Sequence, residues 1–106
     1  MILWTMAINR SNHLLHGYGV KIPIFFRTKS DARWYLGHRR RQDRYVRVRV
    51  SLRPISNRFV WGLTVSGRIE KDFCDIPFTY RTKREAKTLG IFTGNEKPVK
   101  LYLKVM

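Results

Sequence analysis

Apolar and polar residues alternate along four stretches of the chain. Ile2, Trp4, Met6 and Ile8 fall on one side of an extended segment, and Phe59, Trp61, Leu63 and Val65 do the same further on. Val46, Val48, Val50 and Leu52 alternate with Arg47, Arg49 and Arg53, and Val99, Leu101, Leu103 and Val105 alternate with Lys100, Tyr102 and Lys104. Each pattern predicts a strand with one buried side, because successive side chains on a strand point to opposite faces. Ile22 to Phe26 and Ile76 to Tyr80 are short and rich in β-branched and aromatic residues, which predicts two more strands. Pro23 and Pro77 place these at a sheet edge or a strand start, where a missing N–H is tolerated. The stretches SNHLLHGYGVK and IEKDFCD that precede them read as connections.

Helix signals follow each of these short segments. Thr82 stands three residues before Glu85, the capping-box spacing, and Thr28 precedes Asp31 in the same way. Ala32, Tyr35 and Leu36, and Ala86 with Leu89, then recur at the spacing of one buried helical stripe. Gly37 and Gly90 are natural stops, although His38 to Gln42 would allow the first helix another turn. The segment IPIFFRTKSDARW starting at Ile22 therefore has a near-copy, IPFTYRTKREAK, starting at Ile76. The predicted fold is α+β, with two tandem ββαβ repeats, 1–53 and 57–106, in one domain spanning 1–106. Each repeat of about 50 residues is thin for its own core, so the two are expected to share one. Pseudo-twofold symmetry and a mainly antiparallel sheet with two short helices covering one face complete the expectation. Trp4 and Trp61 belong to the core on this reading.

The motif Phe26-Arg27-Thr28-Lys29-Ser30-Asp31-Ala32, with its counterpart Tyr80-Arg81-Thr82-Lys83-Arg84-Glu85-Ala86, resembles the helix start in the arm-site DNA-binding domains of tyrosine-recombinase integrases. The resemblance covers about 30 residues of each half and implies DNA contact through a sheet face. This chain differs in having two strands before each helix and one after it, and no recombinase catalytic domain.

Charge narrows the function further. The 106 residues contain 22 Lys plus Arg against 7 Asp plus Glu, a net charge of +15. Such self-repulsion is relieved by a polyanion, so nucleic acid, DNA or RNA, is the first expected partner and an acidic protein surface the second. Residues 1–53 carry 12 basic and 2 acidic side chains, and residues 54–106 carry 10 and 5, so the first half is expected to grip harder. Cys74 is the only cysteine, which points to a reducing compartment, the cytoplasm. No run approaches the roughly 18 apolar residues of a membrane span, so no membrane is expected, and the protein is expected to be a monomer or a homodimer.

The basic residues group into candidate contacts. Arg39, Arg40, Arg41 and Arg44 form the densest cluster and are expected to anchor phosphates. Arg47, Arg49, Lys100 and Lys104 would extend that surface if the aliphatic sides of their strands are buried, and Lys29, Arg33, Lys83 and Arg84 near the helix starts would join it. Trp34 or Tyr102 would supply stacking. Arg27 and Arg81 precede the caps, where they would either bridge to the cap acid or reach phosphate. His13, His16 and Cys74 lie in connecting segments, the acids are better used as caps, and there is no phosphate-binding glycine loop. Neither catalysis, metal nor cofactor is therefore expected. A small, duplicated, very basic chain suits an accessory protein of a phage or mobile element. The alternative is an inhibitor that docks its basic surface on an acidic host polymerase, nuclease or defence complex.

Overall fold

Eight elements form in the order β1 (Ile2–Ile8), β2 (His13–Leu14), α1 (Lys29–Leu36), β3 (Arg44–Ser51), β4 (Phe59–Val65), β5 (Arg68–Ile69), α2 (Lys83–Gly90) and β6 (Glu96–Val105). The computed structural model describes residues 1–8, 11, 13–17, 22–37 and 43–106. All four alternating stretches are strands. They lie side by side in one sheet of order β2-β1-β3-β6-β4-β5, in which every pair of neighbours is antiparallel. The fold is thus α+β.

The register sorts the side chains, since directly paired residues share a face. Leu3, Thr5 and Ala7 oppose Val48, Val46 and Arg44, and Val48 and Val50 oppose Val105 and Leu103. Val60 opposes Leu101 and Gly62 opposes Val99. These residues make one face, and its aliphatic members form the hydrophobic cluster together with Phe25 and Ile76. The opposite face carries Trp4, Met6, Arg47, Arg49, Phe59, Trp61, Leu63, Lys100, Tyr102 and Lys104. Both helices lie on this second face. Gly90 of α2 packs so closely on Leu63 that a Cβ there would fall inside contact distance of the Leu63 Cδ1. Helix α1 packs on β1 and sets Lys29 over the Trp4 ring, 5.7 Å from its centre.

The sheet curls around its core cluster. Arg27, in the segment beside one edge, meets Asp75, in the loop after the other edge strand, at 3.6 Å. Five strand spacings of about 4.8 Å separate those edges in a flat sheet, so the contact requires closure towards the cluster side. Residues on the inner side of such a curl have little room. That is why Leu3, Thr5, Ala7, Val60, Gly62 and Thr64 sit inside, while Trp4 and Trp61 are only half-buried on the outside. The expectation that Ile2, Trp4, Met6 and Ile8 line the core is therefore overturned: of these four, Met6 alone is fully buried. The two helices lie together on one face, as expected, and that face is the outer one.

The second strands also lie elsewhere than expected. His13–Leu14 and Arg68–Ile69 pair with β1 and β4, within or beside stretches that read as connections. Ile22 to Phe26 and Ile76 to Tyr80 are not strands and make only single bridges, Trp4 to Phe26, His16 to Pro23, Trp61 to Tyr80 and Lys71 to Pro77. A proline has no N–H to offer a ladder, so these segments dock at points instead. The fully buried Thr5 hydroxyl supplies one such point by donating to the Ile24 carbonyl.

The helix starts follow the capping reading. Thr28 (φ −129°, ψ 158°) and Thr82 (φ −132°, ψ 159°) both stay extended and accept from the amides of Asp31 and Glu85. The Glu85 carboxylate reaches back to the Arg81 amide and pairs with its guanidinium at 3.5 Å. Arg27 instead bridges to Asp75. Replacing Thr28 or Thr82 with Ala should cost about 1 kcal/mol of stability in each case. Chemical denaturation of both variants checks this, with helix amides near Glu85 expected to exchange faster in T82A. Helix α1 stops at Leu36, where Gly37 turns to φ 63°. Among the described residues no helix is long and apolar enough to cross a membrane.

Candidate nucleic-acid interface

Four cations meet on the outer face of the central strand pair. Arg49 is directly opposite Lys104, Arg47 is opposite Trp4, and Lys100 is opposite Trp61. Alternation on β3 and β6 dictates this, because the valines and leucines between these residues fill the core cluster. Arg47, Arg49, Lys100 and Lys104 are all exposed.

Lysines and aromatic rings interleave across the face. Lys100 lies 4.6 Å from the centre of Phe59 and 5.9 Å from that of Trp61, and Lys83, the first residue of α2, lies 5.8 Å from Trp61. Phe59 stands edge-on to Trp61 at 6.1 Å and tilted to Tyr102 at 6.0 Å. A cation over an exposed ring is worth about 0.5–1 kcal/mol, enough to orient the lysine but weak enough to be exchanged. From Trp4 to Trp61 the register steps across three strand spacings and six residues along, about 25 Å. A Trp–Lys pair thus stands at each end of the cationic strip.

Acidic groups are kept off that strip. Glu85 is held at the cap of α2, and Asp72 accepts from the amides of Cys74 and Ile76. Asp75 pairs with Arg27 and Lys71, at 3.6 and 3.4 Å. Glu96 shares the outer face but lies at the far end of β6, opposite Val65, and turns into its own loop. Its carboxylate accepts from the Thr93 hydroxyl at 2.5 Å, the Thr93 amide at 2.8 Å and the Phe92 amide at 3.0 Å. The Thr93 hydroxyl first, and then these amides, hold the carboxyl below its ordinary value of 4.5 against an opposing effect of burial.

A carboxyl depressed by folding stabilises the fold above its ordinary value and loses that contribution as pH falls through the depressed one. The turn leading into β6 should therefore loosen below pH 4.5, with faster amide exchange at Phe92 and Thr93. In E96Q these two amides should exchange with no acid-dependent step of this kind.

Other predicted contacts are distributed differently. Lys29 and Lys83 flank the strip through their tryptophans, and Arg33 and Arg84 are exposed on α1 and α2. Arg44 is opposite Ala7 on the core-facing side and donates to the Ser11 carbonyl at 3.1 Å, so it does not join Arg47 and Arg49. Arg39, Arg40 and Arg41 lie outside the described residues. Tyr102 is on the strip. Trp34, 87% exposed, instead lines a groove of ≈ 530 Å³ with Phe25, Tyr35, Cys74 and Ile76, where the two sheet edges approach.

Sequence reasoning missed Phe59, Trp61 and Trp4 as members of this face. The signal available was that Leu3, Thr5 and Ala7, and Val60, Gly62 and Thr64, form a second, smaller set of positions suited to a crowded interior. Among the described residues no three His, Cys, Asp or Glu side chains gather as metal ligands. The chain matches no family model, no curated protein and no solved structure.

Proposed function

We propose that this protein is a non-catalytic nucleic-acid-binding module that holds the phosphate backbone on the outer face of β3 and β6. The observation that carries the reading is the strip of Arg47, Arg49, Lys100 and Lys104, free of acids and bounded by Trp4 with Lys29 and Trp61 with Lys83. Each phosphate neutralised there releases condensed counterions, which gives affinity without base reading. Sheet-face contact is also what the likeness to integrase arm-site domains implies. In this reading the two halves are copies of one ββαβ unit related by a pseudo-twofold axis. Support comes from the order β2-β1-β3 on one side against β5-β4-β6 on the other, and from the matching bridges Trp4 to Phe26 and Trp61 to Tyr80. An accessory protein of a phage or mobile element, working in the cytoplasm of its host, fits such a module.

The test is a titration of DNA and RNA against salt concentration. Log affinity should fall linearly with log salt, with a slope of about −4 to −5 if the strip and the two flanking lysines each meet one phosphate. A flat slope, or no binding at low salt, would sink the reading.

A second reading has its own observation. Trp34 and Tyr35 are exposed beside the groove at the sheet seam, and such rings commonly anchor protein interfaces. A host protein seated there would meet the groove rings, with Arg27, Asp31 and Asp72 also in the lining. Retention of one partner through a high-salt wash, lost in W34A, would favour docking over nucleic-acid binding.

A further inference from the structure

The outer face is not equally built at its two ends. The register sets Arg49 beside Lys104 and sets Tyr102 between Ser51 and Phe59, so the two central rows differ in kind. One row offers a guanidinium and an ammonium. The next offers two rings, with Trp61 edge-on to Phe59 a further row along. All three rings come from β4 and β6, and both arginines come from β3. Phe59 is 41% exposed, and Trp61, Tyr102, Lys83 and Lys100 line a shallow depression of ≈ 550 Å³.

Resting on the reading of this face as a nucleic-acid site, we infer that its ligand is a single strand, with unpaired bases stacked on Phe59, Tyr102 and Trp61 and the adjoining phosphates on Arg49, Lys104 and Arg47. A duplex keeps its base faces stacked on one another and offers a sheet surface only backbone and groove edges. Of the two nucleic-acid forms, only one with unpaired bases can make use of rings exposed on an open strip. Stacking of a base outweighs a lysine resting on an exposed ring, so base entry displaces the Lys100 and Lys83 ammonium groups from the rings. Those ammonium groups then stand beside the strand, where the next phosphates lie. The binding is tolerant of sequence, because every base has a face to stack.

The experiment compares a single-stranded 12-mer, an abasic 12-mer of equal charge and a duplex of the same length, each titrated against the whole chain at 0.1 M salt. The variants are F59L/Y102L, which removes two rings and keeps apolar volume, and K100Q. Thermal melting of each variant confirms that it is folded.

The single strand should bind at least about tenfold tighter than the abasic oligonucleotide and should quench tryptophan fluorescence. F59L/Y102L should lose that advantage and leave abasic binding within about twofold of the parent. In K100Q both oligonucleotides should weaken together, with the preference for bases retained. Equal affinity for the base-bearing and abasic strands, or a preference for duplex that F59L/Y102L leaves intact, would overturn the inference while leaving the phosphate-binding reading in place. Failure of all three oligonucleotides to bind would overturn both.

Discussion

Changing Arg47, Arg49, Lys100 and Lys104 together to Ala is expected to lower affinity for nucleic acid by roughly three orders of magnitude or slightly more, and to flatten its salt dependence. The size follows from counterion release. Each lost phosphate contact removes about 0.7 from the slope of log affinity against log salt on a single strand and about 0.9 on duplex DNA. Four contacts therefore remove roughly 2.8 to 3.6. At 0.1 M salt the smaller figure alone corresponds to a loss of roughly 600-fold. The four side chains are exposed on a face whose core partners point the other way, so the fold should survive. The control is R68A/R84A, which removes two exposed cations outside the four-residue strip and should move the slope much less. R68A/R84A removes half as many charges, so an effect half as large as that of the fourfold variant would mean that total charge, not this strip, controls binding.

Leu101→Ala is expected to produce the largest loss of stability. Leu101 is fully buried, opposite Val60 and within the core cluster. Truncating a buried leucine costs about 2–5 kcal/mol, a large part of the roughly 5–15 kcal/mol that holds a domain of this size. The neighbouring Gly62 makes the prediction sharper. A Cβ on Gly62 would fall inside contact distance of the Leu101 Cδ1 and 2.9 Å from its Cγ, with the Phe78 carbonyl oxygen 3.3 Å away. G62A should thus cost about 1–3 kcal/mol through overpacking.

In the double variant the new methyl enters the space that Leu101 leaves. The combined loss should therefore fall short of the sum of the single losses by about 1 kcal/mol or more. Urea midpoints for the three variants decide it. Strict additivity would mean that the two side chains do not compete for one space.

The parts of the fold legible in the sequence are those governed by near neighbours. A threonine hydroxyl can reach the amide three residues on whatever surrounds it, and both helices begin where Thr28 and Thr82 predict. Val46, Val48 and Val50 alternate with arginines that carry a large cost if buried without a partner, so only one orientation of β3 was available. That also placed Arg47, Arg49, Lys100, Tyr102 and Lys104 on a common face before the strand order was known. Arg44 groups with Arg39, Arg40 and Arg41 in the sequence because it follows them closely, yet within β3 it shares the parity of Val46 and so turns to the core-facing side, away from Arg47 and Arg49.

The faces of β1 and β4 were not legible for a different reason. Ile2, Trp4, Met6 and Ile8 are large and apolar, which ordinarily marks a core side, yet Leu3, Thr5 and Ala7 form the inner set. The choice between two apolar sets depends on which side of the sheet is concave. Curl is a property of six strands together with the Arg27–Asp75 closure, and no single strand encodes it. Phe59 and Trp61 owe their places beside Lys100 to the same decision.

By itself the sequence determined where the helices start, which stretches form the long strands, which side chains of β3 and β6 turn outward, and that the molecule is strongly positive. Each of these depends on hydrogen bonds within a few residues, on period-two alternation, or on summed charge. Strand order, the pairing of Arg49 with Lys104, the outward placing of Trp4 and Trp61, and the groove that Trp34 shares with Cys74 and Ile76 were decided only by tertiary structure. They rest on contacts between residues distant in the chain, whose geometry is set when the sheet curls and its small side chains fill the inside.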